Sequence, residues 1–397
     1  MRLLHTSDWH LGHSLHGVGR EREHAAFLRW LVDVIDRERI DAVVITGDVF
    51  DGSTPPASAE AMWFRFLAEA RGRRAEMPIV VIAGNHDSPA RLAAPAPLLE
   101  AMGVRVIANV PRDPSELVVV VGGAVIAAVP FLRPIDLPAS SGHDDPMEAV
   151  RAVYADALAA ARARRRGRPI VATGHLFVAG ASPSWMSERR IISGGQEAID
   201  ATLFDADVAY VALGHLHRAQ KIGGREHVRY AGSPIPLAMV EAEYRHQIAI
   251  AELEPDAPAR VRTIEIPRAI ELLRLPRHGA ASLDDAVAAI ASLPEIGDEE
   301  PETRPFLEVV VALERPEPRL RDRIEAAVAG RAVRLVKITA QMTGDRAALG
   351  DVNVGKALAD LDPREVLQRR WSRDHEAALP ASVARAFEEL LAEAEAR

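Results

Sequence analysis

Hydrophobic residues in this chain gather into short runs, and most of the runs stop at a burst of polar residues. Leu3-Leu4, Ala42-Val43-Val44-Ile45, Ile79-Val80-Val81-Ile82, Ile170-Val171-Ala172 and Val208 to Leu213 are unbroken by charge. Runs of this kind, without polar alternation, predict strands buried on both faces. Between them, Phe27, Leu28, Leu31, Val32 and Ile35 repeat with the period of an amphipathic helix over 21–37. Pro55-Pro56 opens a second helix containing Met62, Trp63, Phe66 and Leu67, and Ser88-Pro89 suits the cap and first turn of a third, over 89–102. The longest apolar stretch, Leu117 to Pro130, is broken by Gly122-Gly123 and therefore predicts a hairpin rather than a membrane span. A helix over 147–163 and strands near 228–231, 248–253 and 261–266 complete an alternation that predicts a layered α/β fold over 1–270.

Near Ile270 the pattern tightens to β-α-β-α-β over 271–341, a small second domain whose loop at 294–305 is rich in acids and proline. A linker is expected over 342–361 and a helical segment over 362–397. The last helix places Val383, Phe387, Leu390, Leu391 and Ala394 in one apolar stripe on an otherwise charged surface.

Composition narrows the picture without changing it. With 397 residues, 48% hydrophobic and 26% charged, the chain has core enough for two or three globular domains. The lack of cysteine excludes disulfides and thiolate metal sites and fits a reducing, cytoplasmic setting. The chain enters a strand-like run at once, so no secretory signal is expected. A net charge of -9 argues against a free-standing nucleic-acid binder, although it does not locate patches.

The candidate chemistry lies where the runs stop. Asp8, His10, Asp48, Asn85, His86, Asp87, His175, His215 and His217 all follow apolar runs. In open α/β sheets the carboxyl ends of strands converge on a site. Carboxylate, amide and imidazole donors without sulfur suit manganese, iron, magnesium or zinc. Two such ions, about 3.5–4 Å apart, can share one carboxylate, and Asp48 is expected to be the shared one. A lone Asp-x-His pair would be background; the co-occurrence is the signal. His5, His13, His16 and His24 are read as structural or surface residues, and Asp51 as a turn residue or a neighbour of the ligands.

Asp8-x-His10, Gly47-Asp48, Gly84-Asn85-His86-Asp87, Gly174-His175 and Gly214-His215-x-His217 resemble the five motifs of the calcineurin-like binuclear metallophosphoesterases. The resemblance is closer to one branch, the nuclease subunits of bacterial double-strand-break repair. It rests on the segments 5–12, 47–51, Pro130-Phe131-Leu132-Arg133-Pro134, 172–176 and 230–237. It is strong over 1–270, falls to layout alone in the second domain and returns faintly at 366–371.

The resemblance implies a four-layer α-β-β-α sandwich of two mixed sheets, with a small α/β cap and a C-terminal helix pair. It implies one metal held by Asp8, His10, Asp48 and His217, and a second held by Asp48, Asn85, His175 and His215, with manganese as the ion. His86 would face the scissile phosphate and Asp87 would orient His86, while a hydroxide activated by the ions attacks. The implied activity is 3′-to-5′ exonuclease action on duplex DNA and endonuclease action on single strands and hairpins. The implied partner is an SMC-like coiled-coil ATPase, docked on the 362–397 segment. That partner would use the ATP, because this chain has no Gly-x-x-x-x-Gly-Lys-Ser/Thr loop.

The resemblance also implies a homodimer through the helices over 57–70 and 89–102, giving a heterotetramer with no membrane part. Arg218 and Ser233 are candidate substrate contacts. The basic clusters at 71–74 and 162–168 are read as solvated helix ends or DNA contacts. Two other readings stay open: a phosphoesterase for small molecules or phosphoproteins on the same fold, and a non-catalytic scaffold.

Overall fold

The apolar run Ala42–Thr46 is buried at every position, and it explains the architecture around it. Its alternate residues face two different cores. Ala42 and Val44 pack with Val125, Ala127, Val171 and Ala212, whereas Val43 and Ile45 pack with Phe27, Leu31, Trp63 and Phe66. A strand sandwiched in this way has another sheet on one side and helices on the other.

These relations are those of a computed structural model, which describes residues 1–137, 146–182, 199–204 and 206–343 together with Leu367, Trp371, Pro380, Val383, Ala384 and Phe387. Two six-stranded sheets lie face to face. The first runs, edge to edge, through Arg260–Glu265, Gln247–Glu252, Arg2–Thr6, Ala42–Thr46, Ile79–Ile82 and Val104–Ile107. The second runs through Gln220–Ile222, Arg225–Tyr230, Val208–Gly214, Ile170–His175, Ala124–Ala127 and Val118–Val121. Both are mixed: Arg2–Thr6 is parallel to Ala42–Thr46 and antiparallel to Gln247–Glu252, and the hairpin pairs Val121 with Ala124 across Gly122-Gly123. Helices Glu21–Arg37 and Ala57–Arg73 cover the outer face of the first sheet, and Pro146–Arg164 packs on the second.

The segment expected as one helix over 89–102 is two, Pro89–Ala93 and Ala96–Ala101. Pro95 lies between them; a proline there cannot donate to the preceding turn and breaks the helix. Ser88 caps the first piece through the Arg91 amide. Leu92 and Leu99 are buried, but Leu98 is 66% exposed.

Residues after Ile270 form a three-stranded sheet of Leu272–Leu275, Phe306–Leu313 and Arg334–Met342. Helices Leu283–Ala291 and Leu320–Val328 share a core with it that includes Ile290, Leu307, Val309 and Ile324. Its other face is joined to the larger part through Phe306, Leu272, Leu15, Met239 and Ile270. Met1–Gln341 is accordingly one compact unit, and Met342–Arg397 is a second. In the second unit Leu367 and Trp371 are helical, as are Val383, Ala384 and Phe387. Most of the expected linker and C-terminal helices lies outside the described residues.

His5 and His24 are both wholly buried. His5 sits between the sheets, with Nδ1 2.9 Å from the Tyr210 hydroxyl and Nε2 3.0 Å from Thr46 Oγ1. His24 places Nε2 3.0 Å from the Trp9 carbonyl. Burial, helped by Arg229 near His5 and by Arg20 near His24, lowers each imidazole to about 3. Above pH of about 6.5 both residues are neutral whether the chain is folded or not, so they add no pH dependence. Below it the unfolded chain takes up protons that the native state refuses, and stability falls by about 1.4 kcal/mol per pH unit for each histidine. Urea unfolding in chelator at pH 7.5 and pH 5 should show this loss. In a His24→Gln protein the loss should shrink by the share of one histidine, about 1.4 kcal/mol per pH unit below about 6.5.

Candidate metal centre

Strand register brings the polar bursts together. Thr6 pairs with Ile45, Thr46 with Ile82, and Gly214 with His175, so the following loops leave the sheets side by side. Asp8 N–H donates to the Gly47 carbonyl and His10 N–H to the Asp48 carbonyl, each at 3.0 Å. These loops are strained. Asp8, His10, Asp48 and His215 have φ of 53°, 47°, 50° and 100°, a region that costs a non-glycine residue on the order of 1–3 kcal/mol. Such strain persists where the surroundings over-determine it, and all four positions are candidate ligands. The loops also touch closely. A Cβ on Gly84 would lie 2.1 Å from Asp48 Oδ1, and one on Gly214 would lie 1.9 Å from the Thr46 carbonyl oxygen.

Three overlapping groups result, each with ligand atoms within 4.8 Å of one another: Asp8, His10 and His217; Asp8, Asp48 and His175; His10, Asp48 and His86. Asp48 Oδ2 stands 3.5 Å from His10 Nε2 and 3.3 Å from His175 Nε2. Asn85 Oδ1 lies 2.9 Å from His175 Nε2 and 3.1 Å from His215 Nδ1. Asp48 belongs to two of the three groups and Asn85 reaches both His175 and His215, so the expected ligands converge on one cluster.

The tautomers fit a metal. His10 Nδ1 faces Asp51 at 3.1 Å, His175 Nδ1 faces the Thr46 carbonyl at 2.9 Å, and His217 Nδ1 faces Glu241 at 3.0 Å. Each Nδ1–H donates outward and turns Nε2 inward, the usual orientation of a metal-binding histidine. His10 Nε2 is buried with no hydrogen-bond partner, a lone pair that an ion would satisfy.

The electrostatics agree with this. Burial opposes ionisation of Asp48, but the charge and hydrogen bond of His175 and the charge of His10 hold its carboxyl well below the usual range. Burial alone would lower His175; Asp48 and Asp8 outweigh it and lift the imidazole to about 9. Burial keeps His215 down at about 3 and lowers His10 as well. The buried carboxylates thus draw positive charge, here a proton on His175, whereas burial keeps His10 and His215 neutral.

His86 belongs to the same cluster, but its partners differ from the expectation. Its amide donates to Asp48 Oδ1 at 2.8 Å, and its Nδ1–H donates to the Asp51 carbonyl at 2.7 Å. Asp87 does not orient it. The Asp87 carboxylate accepts the amides of Gly84, Phe50 and Val49 at 2.9, 3.0 and 3.3 Å, which ties two loops together from beneath. Burial, with Asp48 nearby, raises that carboxyl to about 6.

Two residues outside the expected ligand set shape the site: Asp51, which the sequence offered as a neighbour of the ligands, and Glu241, which it did not bring forward. Asp51 contacts His10, His13 and His86. Glu241, wholly buried, holds His217 with one oxygen and accepts the Leu237 amide with the other at 2.7 Å. It sits in a single short turn, Met239–Glu241, far from any motif, and no spacing announces it. A Glu241→Gln protein should bind metal about 10- to 100-fold more weakly while keeping its melting temperature. Calorimetric metal titration beside thermal unfolding would check both.

The substrate candidates are less integrated. Arg218 is exposed and stacks over Tyr244 at 5.7 Å. Ser233 is buried, its hydroxyl is unpartnered, and its amide donates to the His217 carbonyl at 3.0 Å. Both basic clusters are anchored within the fold. Arg73 pairs with Asp33 and Asp36, Arg162 with Asp207, and Arg165 with Asp256.

Residues 1–219 match the family model described as calcineurin-like phosphoesterase. The chain belongs to the calcineurin-like phosphoesterase family. Residues 267–375 match a second model, described as type 5 capsule protein repressor C-terminal domain. Within the family the chain sits beside proteins named as the D component of the nuclease SbcCD. It is 37% identical to the one from Rhodobacter capsulatus over 364 residues, 85% of this chain and 87% of that relative. It is 41% identical to the Escherichia coli K12 protein over 271 residues, 63% of this chain and 65% of the relative. For the Bacillus subtilis protein the values are 38% over 267 residues, 65% and 68%. Members of this family use divalent metals, and the cluster built around Asp48 is a place to hold them.

Proposed function

We infer that this chain is the nuclease subunit of an SbcCD-type DNA repair complex, hydrolysing phosphodiester bonds with two divalent ions, manganese foremost. The observation that carries the reading is Asp48, common to two of the three groups of converging donors, with the His86 amide hydrogen-bonded to it. One lobe of the site would be Asp8, His10, Asp48 and His217; the other would be Asp48, Asn85, His175 and His215. Ions bound there would lower the pKa of a water and offset the charge of a phosphate. Asp51 and Glu241 keep His10 and His217 turned inward. His86 is fixed through Nδ1; in its imidazolium form it would present an Nε2–H to stabilise the phosphoryl oxygens or protonate the leaving oxygen. The relatives' names favour DNA over a small phosphoester as substrate.

The same reading assigns 3′-to-5′ exonuclease action on duplex ends and endonuclease action on single strands and hairpins. The partner is an SbcC-type coiled-coil ATPase, with the 362–397 segment as its docking element. The homodimer is supported by Phe64 and Leu98, 43% and 66% exposed on the helices that flank the motif loops. No helix among the described residues is long and apolar enough to cross a membrane.

The deciding assay offers the purified chain blunt duplex DNA, hairpin DNA and a small phosphodiester dye in manganese, with and without the ATPase and ATP. DNA cleavage that the partner and ATP enhance is the expected result. Turnover of the dye with intact DNA in every arm would return the protein to the small-substrate alternative.

A further inference from the structure

Pro130-Phe131-Leu132-Arg133-Pro134 is the one stretch of the nuclease-like signature that the chemistry above leaves without a task. It follows the strand Ala124–Ala127 of the second sheet, yet it reaches across to the first. The Phe131 amide donates to the Ala83 carbonyl at 2.8 Å. Arg133 Nη2 donates to the Asp87 carbonyl at 3.0 Å and to the Gly84 carbonyl at 3.4 Å. These carbonyls bracket Asn85 and His86, the two residues that face the metals and the substrate. Asp87 clamps this loop from beneath, but its carboxylate takes only amide hydrogens. The loop's outward carbonyls depend on another donor, and a guanidinium, with five N–H groups in a fixed plane, can reach two of them at once.

Arg133 is itself braced. Its Cζ lies 5.6 Å from the centre of the Phe131 ring, and that ring meets His175 edge-on at 6.1 Å. The Arg133 amide and the Asp136 carboxylate close a tight turn at 3.0 Å. One side-chain nitrogen, Nη1, is buried and has no partner. A buried unpaired donor is costly, and it persists where its neighbours are held for another purpose.

We propose that Arg133 is a positioning residue for the reaction. Its guanidinium fixes the Gly84 and Asp87 carbonyls and so sets the direction of the Asn85 amide and the His86 imidazole. The inference rests on the nuclease reading for its activity arm alone, because its metal-binding arm needs no substrate.

The test compares wild type with Arg133→Met and Arg133→Lys. Manganese binding is followed by calorimetry, thermal unfolding is followed in chelator, and DNA cleavage is resolved into kcat and KM. Arg133→Met should lower manganese affinity for the Asn85 lobe by about 10-fold, in line with the loss of an outer support of a ligand. It should lower kcat by about 10- to 100-fold with KM for DNA within about threefold, because the lost support acts on alignment and not on binding. Arg133→Lys, with one donor group in place of the fork, should fall between. Added methylguanidine should restore part of the kcat of Arg133→Met, which a general packing defect would not allow, and the melting temperature should stay close to that of wild type.

Unchanged manganese affinity and unchanged kcat would overturn the proposal. A raised KM with unchanged kcat would also overturn it, because Arg133 would then be a substrate contact. If the wild-type chain leaves DNA intact while Arg133→Met still weakens manganese binding, the nuclease reading fails and the positioning role stands.

Discussion

A His86→Gln protein is expected to bind manganese as wild type does and to cleave DNA about 10²- to 10⁴-fold more slowly, the usual range for loss of a positioned acid–base group. The expectation follows from where the two ends of His86 go. Its Nδ1–H is fixed on the Asp51 carbonyl and its amide on Asp48, so the backbone contact to Asp48 survives the substitution. Glutamine can still donate one hydrogen bond, but it cannot shuttle a proton between pH 6 and 8. Metal content by elemental analysis and kcat on blunt duplex DNA would be read together. A parallel loss of metal and activity would mean that His86 is a ligand, and the division of labour between His86 and the metal ligands would be wrong.

An Asp48→Asn protein should fail differently, losing metal from both lobes at once. The amide oxygen can keep the hydrogen bond from the His86 amide, now 2.8 Å long, so the loop need not collapse. The negative charge between His10 and His175 disappears, however, and with it the attraction that holds two cations side by side. Affinity at each position should fall by more than the about 10- to 100-fold typical of an outer partner, and cleavage should be undetectable at manganese concentrations that saturate wild type. Calorimetry that still registers one tight ion would show that Asp48 serves a single lobe.

Much of this was written into the chain as interruptions. Strands such as Ala42–Thr46 and Ile79–Ile82 are legible because a two-sided strand carries few polar residues, so the polar burst after each one marks a site. The strands and helices after Ile270 were legible for the same reason of periodicity, although they pack into one compact unit with the rest of 1–341. What stayed hidden depends on contacts between residues distant in sequence or turned the other way. The resemblance implied that Asp87 orients His86, yet its carboxylate points down to the Val49 and Phe50 amides. Glu241 reaches His217 from a three-residue turn, and Arg133 reaches the Gly84 and Asp87 carbonyls from the other sheet. No period in the sequence encodes such meetings. His5 and His24, read as structural or surface histidines, proved to be wholly interior, because a neutral imidazole with one or two partners is tolerated in a core where a charged one is not.

Trp9 stands between the candidate ligands Asp8 and His10, and its ring turns away from them. The indole is wholly buried, packs edge-on against Phe27, Trp63 and Phe66 at 5.0–5.6 Å, and donates to Thr6 Oγ1 at 2.9 Å. Two of those rings come from the helix Ala57–Arg73, and the third from Glu21–Arg37. One side chain therefore shares its backbone with the ligands and its ring with the helical layer. Ions held by Asp8 and His10 would therefore be coupled to the packing of both helices. Whatever grips those helices from outside would then bear, through the same indole, on how tightly the ions are held.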